Sequence, residues 1–590
     1  MSSNEKIDRP LNLGNREMRF GSDAVAETVH GLGYKYISLV PGASFRGFHD
    51  SIVNYLGNDD PQMVVCLHEE HAVAIAEGYA AVTDEPMAVA LHSNVGLMHA
   101  TMAIFNAWCN KIPMLIFGAN GPIDASRRRP WIEWIHTTKD QASMIRNYIK
   151  WDDEPQSPAA AVEAVLRANQ ITRTPPYGPT YVCLDGHMQE GELTEEVLIP
   201  PVDRFEEPAT PGASEETVRQ ILDAIKAAKF PILMIGRVSR DEEDWNKRVA
   251  LAEKLGVVVM TSMHTPAAFP TEHPNHVIPA SSEMPKETEA NLIKKADLLV
   301  ALDWVDLAGY LHICSGESQT QKPIDAKIIT CSLDTYASNG WVMAYHALPA
   351  TDLSVLARPD DLIDQLLTMA EAEGRSGELP AEAPEHWTVS PAPFDVSAPD
   401  QPMSRREMAE VIAEFSKDKD VTLTKVPIGW SGAACHFDHP LDYLGKDGGG
   451  AVGAGPGTAV GAALALKDSD RLVLGVLGDG DYLMGVNALW TASRMRLPMM
   501  LVVANNRSYF NDELHQERVA ITRGRPVENR WIGQRLDDPR PDVVGFAKAQ
   551  GFEGEGPITD TGELMEALKR GEEVVRNGGR YVIDVYSIGY

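Results

Sequence analysis

Residues 478–506 read GDGDYLMGVNALWTASRMRLPMMLVVANN. An apolar run from Leu472 to Leu477 leads into this stretch and predicts a strand. Gly478-Asp479-Gly480 predicts a tight turn, residues 486–495 a helix, and Met499 to Ala504 a second strand ending at paired asparagines. Asp479 and Asn506 stand 27 residues apart. A strand–helix–strand crossover brings both to the carboxyl ends of neighbouring parallel strands, where open α/β sheets bind ligands. One carboxylate, one amide oxygen and a nearby backbone carbonyl are hard oxygen ligands. They suit Mg²⁺ or Ca²⁺, with phosphate oxygens in the remaining positions. The glycines let the backbone approach a diphosphate closely. The plain alternative is an ordinary βαβ unit, because Gly-Asp-Gly is common turn chemistry.

Working outward, 590 residues predict several domains, and 44% hydrophobic content is ample for packed cores. A formal charge of −31, from 84 acidic and 53 basic residues, argues against nucleic acid and anionic membranes as partners. The opening MSSNEKIDRPLNLGNREMRF has no apolar signal core, and no apolar run reaches membrane-spanning length. Cys66, Cys109, Cys183, Cys314, Cys331 and Cys435 are scattered without a CxxC pair and read as small buried hydrophobes. A reduced, cytoplasmic protein is expected.

The fold class is α/β, with three doubly wound parallel-sheet domains. The first, residues 14–190, alternates apolar strands (36–40, 63–67, 87–92, 114–118, 180–184) with helical stretches. A Pro-rich linker over 199–211 follows. The second unit, 212–372, repeats the rhythm at 231–236, 257–261, 297–302 and 327–333. A second linker over 371–402, rich in Pro, Glu and Ser, has too little apolar content to fold alone. The third unit, 403–590, holds the opening motif and closes with a strand over 581–586.

Glu69 stands where a strand ends and a small-residue helix begins, in CLHEEHAVAIAEGYA. A carboxylate there is favoured by the helix dipole, so a helix-capping acid is one reading. His68-Glu69-Glu70-His71 is not a zinc-protease motif: HExxH sets its histidines four apart, and these are three apart. The glycine run from Gly448 to Gly461 is a poor dinucleotide fingerprint, since Pro456 interrupts it and no strand precedes it.

GDG followed by NN at this spacing resembles the thiamine-diphosphate-binding signature. The resemblance extends along almost the whole chain: a pyrimidine-binding unit, a middle unit and a diphosphate-binding unit. It implies that Asp479, the Asn506 side chain and the Ser508 carbonyl ligate Mg²⁺ or Ca²⁺, with Gly478, Gly480 and Asp481 beside the diphosphate. Arg507 stands where many relatives have glycine. Glu69 and Glu77-Gly78-Tyr79-Ala80 match the family pattern of Glu, seven residues, then Glu-Gly-Tyr-Ala. Glu69 is thereby implied to bond the cofactor's pyrimidine ring and drive formation of the reactive carbanion. Val452, followed by Gly453, holds the position of the wedge that bends the cofactor.

Leu91-His92-Ser93, with Asn106-Ala107-Trp108 downstream, resembles benzoylformate decarboxylase and its relatives. This implies that His92 faces the reacting carbon as acid or base. His312 matches a second family histidine, and His71, His99 and His515 are further candidates. Benzoylformate decarboxylases carry serine directly after Pro-Gly, where it holds the substrate carboxylate; here Ala43 follows Pro41-Gly42, with Ser44 next. Arg46 or His49 could compensate. The patch Ser126-Arg127-Arg128-Arg129-Pro130-Trp131 could steer an anionic substrate or form a solvated loop or interface. FAD is not expected in the middle unit, which lacks a specific flavin motif.

The expected function is a thiamine-diphosphate- and Mg²⁺-dependent enzyme making or breaking a C–C bond beside a carbonyl. A 2-oxo acid decarboxylase or a carboligase of acetolactate synthase type fits first. A 2-hydroxyacyl-CoA lyase or a catalytically silent cofactor-binding homologue is the alternative. The partners implied are a small carbonyl substrate and a second copy of the chain. The resemblance puts the cofactor between the first unit of one subunit and the third of another, so a homodimer is the minimum and a homotetramer is expected.

Overall fold

The computed structural model describes residues 7–13, 16–281, 287–334, 347–387, 402–446, 448–450 and 452–588. The expected start of the first unit at residue 14, residues 388–401 of the second linker and Ala451 of the glycine run lie outside the described residues.

The chain forms three parallel sheets. The first holds β1 (Tyr36–Leu39), β2 (Gln62–Val65), β3 (Met87–Ala90), β4 (Met114–Asn120), β5 (Trp151–Asp153) and β6 (Pro179–Asp185), in the order β2-β1-β3-β4-β6-β5. The second holds β7 (Pro231–Ile235), β8 (Val258–Thr261), β9 (Leu298–Leu302), β10 (Lys327–Cys331) and β11 (Leu353–Val355), ordered β11-β10-β9-β7-β8. The third holds β12 (Val421–Lys425), β13 (Leu472–Gly478), β14 (Met499–Asn505), β15 (Glu553–Ile558) and β16 (Arg580–Tyr586), ordered β12-β13-β14-β16-β15. Central strands such as β4, β6 and β14 are buried along their whole length. Both faces are covered by helices, which is why their sequences are continuous apolar runs rather than alternating ones. All six cysteines are buried and none forms a disulfide. No described helix is long and apolar enough to cross a membrane.

One expectation needs correction. Gly478-Asp479-Gly480 is not a tight turn: Gly478 ends β13 and Asp479 is the first residue of the helix Asp479–Gly485, after which a second helix, Ala488–Arg494, follows. The strand passes straight into a helix, which places the Asp479 carboxylate at the helix N-terminus, where the dipole favours it. The described part of the second linker packs against the second unit. Gly377 sits close against Leu255, Leu379 and Ala383 pack on the second unit's core, and His386 bonds the Thr271 carbonyl at 3.2 Å.

The outer units meet through two helices, Glu69–Thr83 and Gly455–Leu466. Glycines make the approach possible. A β-carbon on Gly78 would lie 2.0 Å from the Thr458 carbonyl oxygen, and one on Gly461 would lie 2.0 Å from that of Ile75. The second unit is tied to the first by charge. Arg237, just past β7, forks onto Asp303 (3.0 and 3.2 Å) and reaches Asp334 at 3.1 Å, while Lys111 of the first unit reaches Asp334 at 2.9 Å. These four side chains line a cavity of about 310 Å³ at the carboxyl end of the second sheet.

Candidate active site

β13 and β14 run in parallel register, with Gly478 opposite Ala504, so Asp479 and the Asn505-Asn506 pair emerge at one end of the sheet. Asp479 Oδ1 accepts the Gly480 N–H at 2.8 Å, whereas Oδ2 is buried without a hydrogen-bond partner. Burial pushes this carboxyl up to about 6, against the pull of backbone amides at Gly480, Arg507 and Ser508. Asn506 Oδ1 accepts the Ser508 N–H at 2.9 Å and so closes the loop over the strand end. Asn505 is occupied structurally, donating to Asp584 at 3.0 Å. Arg507 has φ +58°, a left-handed conformation that explains the glycine of relatives, and its guanidinium lies 3.6 Å over the Tyr586 ring.

Asp481 holds the glycine run. Its Oδ1 accepts the Gly453 N–H at 2.7 Å and the Gly455 N–H at 3.2 Å, and its Oδ2 pairs with Lys425 at 2.9 Å. A β-carbon on Gly455 would lie 2.3 Å from that carboxylate. Val452 is 41% exposed beside Gly453, whose φ is +111°. Met484 lies across Gly453 and is 57% exposed. It is a second large apolar side chain beside the wedge position, and the sequence reading did not single it out.

Glu69 does not cap its helix. His68 is the N-cap, accepting the Glu70 N–H at Nδ1 over 3.2 Å. The Glu69 carboxylate is thereby released from capping. It is buried, and its Oε2 lies 3.0 Å from His99 Nδ1 on the neighbouring helix Ser93–Cys109. Nitrogens of His68 and His99 and a Glu69 oxygen lie within 4.8 Å of one another. A metal there is disfavoured, because His68 Nδ1 is already an acceptor and the two rings stack at 19° instead of converging on a point. His71 is buried, which drives its imidazole down to about 4. Burial raises the Glu70 carboxyl above its ordinary value, and the Asp481 charge of the third unit adds to the rise.

His92 is the N-cap of the helix Ser93–Cys109, at the carboxyl end of β3. Its Nδ1 lies 2.9 Å from Ser44 Oγ. Ser44, not Ala43, is thus the residue that meets this histidine. Arg46, a candidate carboxylate anchor, is bidentate to Glu190 at 2.6 and 2.7 Å. His136 was missed. It ends the short helix Ile132–His136 and packs edge-on against His92, ring centroids 4.8 Å apart. In sequence it stands five residues past the basic patch that ends at Trp131. Within that patch, Arg128 bonds the Pro122 and Ile123 carbonyls, and Arg129 pairs with the buried Glu133. His312 belongs to the second unit's helix Leu307–Ser315, and His515 is exposed on the helix Phe510–Thr522 beside Asn511.

The residues present fit a cation and a diphosphate. The unpartnered Asp479 oxygen suits a cation, and the space where Gly478 would carry a β-carbon is open.

Three family models match the chain. They are described as the N-terminal TPP binding domain (residues 19–144), central domain (218–335) and C-terminal TPP binding domain (427–585) of thiamine pyrophosphate enzymes. Together they cover more than half of it. Acetolactate synthase isozyme 1 large subunit of Escherichia coli K12 is 24% identical over 500 residues, spanning 83% of this chain and 82% of that protein. Benzoylformate decarboxylase of Pseudomonas aeruginosa is 24% identical over 475 residues, spanning 76% and 80%. The solved benzoylformate decarboxylase from Polynucleobacter necessarius shares the fold at a TM-score of 0.77 and 21% identity, covering 97% of this chain and 99% of that one.

Proposed function

The chain belongs to the thiamine pyrophosphate enzyme family, and from that premise we propose that it cleaves or forms a C–C bond beside a carbonyl, as a 2-oxo acid decarboxylase or a carboligase. It is a thiamine-diphosphate-dependent enzyme of the acetolactate synthase and benzoylformate decarboxylase type. The observation that carries the reading is Asp479, whose buried oxygen lacks a donor at the carboxyl end of β13.

Asp479, Asn506 Oδ1 and the Ser508 carbonyl would hold Mg²⁺, which would in turn hold the diphosphate. Bound thiamine diphosphate supplies a carbanion that adds to the substrate carbonyl and an electron sink for the bond that breaks. Glu69, buried and released from capping, would hold a proton at the pyrimidine ring. Asp481 orders the glycine run at Gly453 and Gly455. Val452 and Met484 would keep the bound cofactor bent and water out. We further propose that the active unit is a homodimer or larger assembly. Leu67, two residues before Glu69, and Val95, Met98 and Met102, on the helix that carries His99, are all 37–57% exposed in the single chain. Exposed apolar side chains of that kind suit cover by a second copy.

Titration calorimetry with thiamine diphosphate should give saturable binding that requires Mg²⁺. No heat with the metal present would sink the cofactor assignment. A panel of aromatic and aliphatic 2-oxo acids, with and without an acceptor aldehyde, should yield an aldehyde or a hydroxyketone by mass spectrometry. Failure of every 2-oxo acid would remove the decarboxylase reading.

A further inference from the structure

His92 is gripped at one ring nitrogen from two directions. The Ser44 backbone N–H donates to Nδ1 at 3.4 Å, and Ser44 Oγ lies 2.9 Å from the same atom. A backbone amide can only donate, so Nδ1 is an acceptor and bears no proton. The Ser93 N–H donates to Ser44 Oγ at 3.0 Å, leaving the hydroxyl hydrogen to point at Nδ1. A neutral imidazole holds one proton, which must then sit on Nε2.

The grip is built, not incidental. A β-carbon on Gly42 would lie 2.4 Å from His92 Cβ and Cγ, so only glycine lets the turn close on the ring. Gln189 Nε2 donates to the Ser44 carbonyl at 3.1 Å and fixes the turn from behind. Ser93 holds φ +41°, an uncommon conformation that aims its N–H at Ser44 Oγ. Protonating Nδ1 would set an N–H against the Ser44 N–H. Burial and the neighbouring His136 of the helix Ile132–His136 also lower the His92 pKa, while Glu69 of the helix Glu69–Thr83 raises it.

We propose that Ser44 is a positioning residue that locks His92 as the neutral Nε2–H tautomer, so that His92 serves as a hydrogen-bond donor to the oxygen that becomes negative when the substrate carbonyl is attacked. This rests on the reading that His92 faces the substrate. No proton changes hands in this role. A neutral imidazole donates a hydrogen bond to the developing oxyanion and keeps its proton, and preorganised donors of this kind are a major source of catalysis.

Neutron diffraction of the holoenzyme should find deuterium on His92 Nε2 and none on Nδ1. Ser44→Ala should lower kcat about tenfold with KM little changed, the loss expected for one hydrogen bond spent in the transition state. It should also raise the acid limb of the kcat–pH profile, and Ser44→Thr should restore both. Deuterium on Nδ1, or a Ser44→Ala profile identical to the parent's, would overturn the proposal. If Nδ1 is bare but His92→Ala turns over normally, the active-site reading of His92 fails, and the role given to Ser44 falls with it.

Discussion

Glu69 Oε2 and His99 Nδ1 meet at 3.0 Å, bridging the helices that follow β2 and β3, strands with β1 between them in the first sheet. The acid is buried, while the histidine side chain is 51% exposed. An imidazole on a surface-facing helix therefore holds the one carboxylate that the mechanism asks to move a proton. Glu69→Gln keeps the size and loses the proton. Turnover should fall about 10²–10⁴-fold, with cofactor affinity largely kept. Proton exchange at the cofactor's reactive carbon, followed by NMR, should slow in parallel; unchanged exchange would contradict the role.

The buried Asp479 carboxylate is costly when its cation is missing. Its folded-state pKa stands at about 6, above the ordinary 3.8. The folded form therefore binds the proton more tightly, and stability drops as pH rises through that window. Asp479→Asn should stabilise the cofactor-free protein at pH above 7 by on the order of 1–2 kcal/mol and leave it unchanged near pH 4. The same variant should lose Mg²⁺-dependent cofactor binding. Thermal melts at both pH values test the sign.

Arg507 sets backbone strain against a ring contact. Removing only the contact with Tyr586, by Arg507→Ala, should cost about 1 kcal/mol. Arg507→Gly loses the same contact but relieves the left-handed backbone by a similar amount, about 1 kcal/mol. Chemical denaturation should place glycine near the parent and alanine below both.

Gly78→Ala and Gly461→Ala each drive a methyl into an opposing carbonyl across the helix seam. Each should cost about 1–3 kcal/mol, and cofactor affinity should fall because the seam sets where the first and third units stand. A Gly33→Ala control, in open space at φ +81°, separates backbone strain from the clash: it should destabilise without touching cofactor affinity.

The parts of the fold that were legible in sequence are the buried ones. Every central strand announced itself as an apolar run, because both of its faces lie under helices. The strands that escaped notice, β5, β11, β12 and β15, are all at sheet edges. Edge strands are short, or carry threonine, glycine and acids, as in Trp151-Asp152-Asp153 and Glu553-Gly554-Glu555-Gly556. At the site, spacing singles out Asp479, Asn506 and Glu69 as candidates, because the family pattern runs along the chain. Pairings across the fold left no such trace. His99 on Glu69, Ser44 on His92 and His136 on His92 join residues 30, 48 and 44 positions apart. They arise from which loops the sheet brings side by side.

The helix seam also shapes how the protein is born. Gly455–Leu466 leaves the ribosome some 370 residues after Glu69–Thr83 has been made. At usual synthesis rates that gap lasts roughly 20–75 s. Throughout it, the groove cut by Gly78 stands bare on a nascent chain, inviting strangers before its own mate arrives.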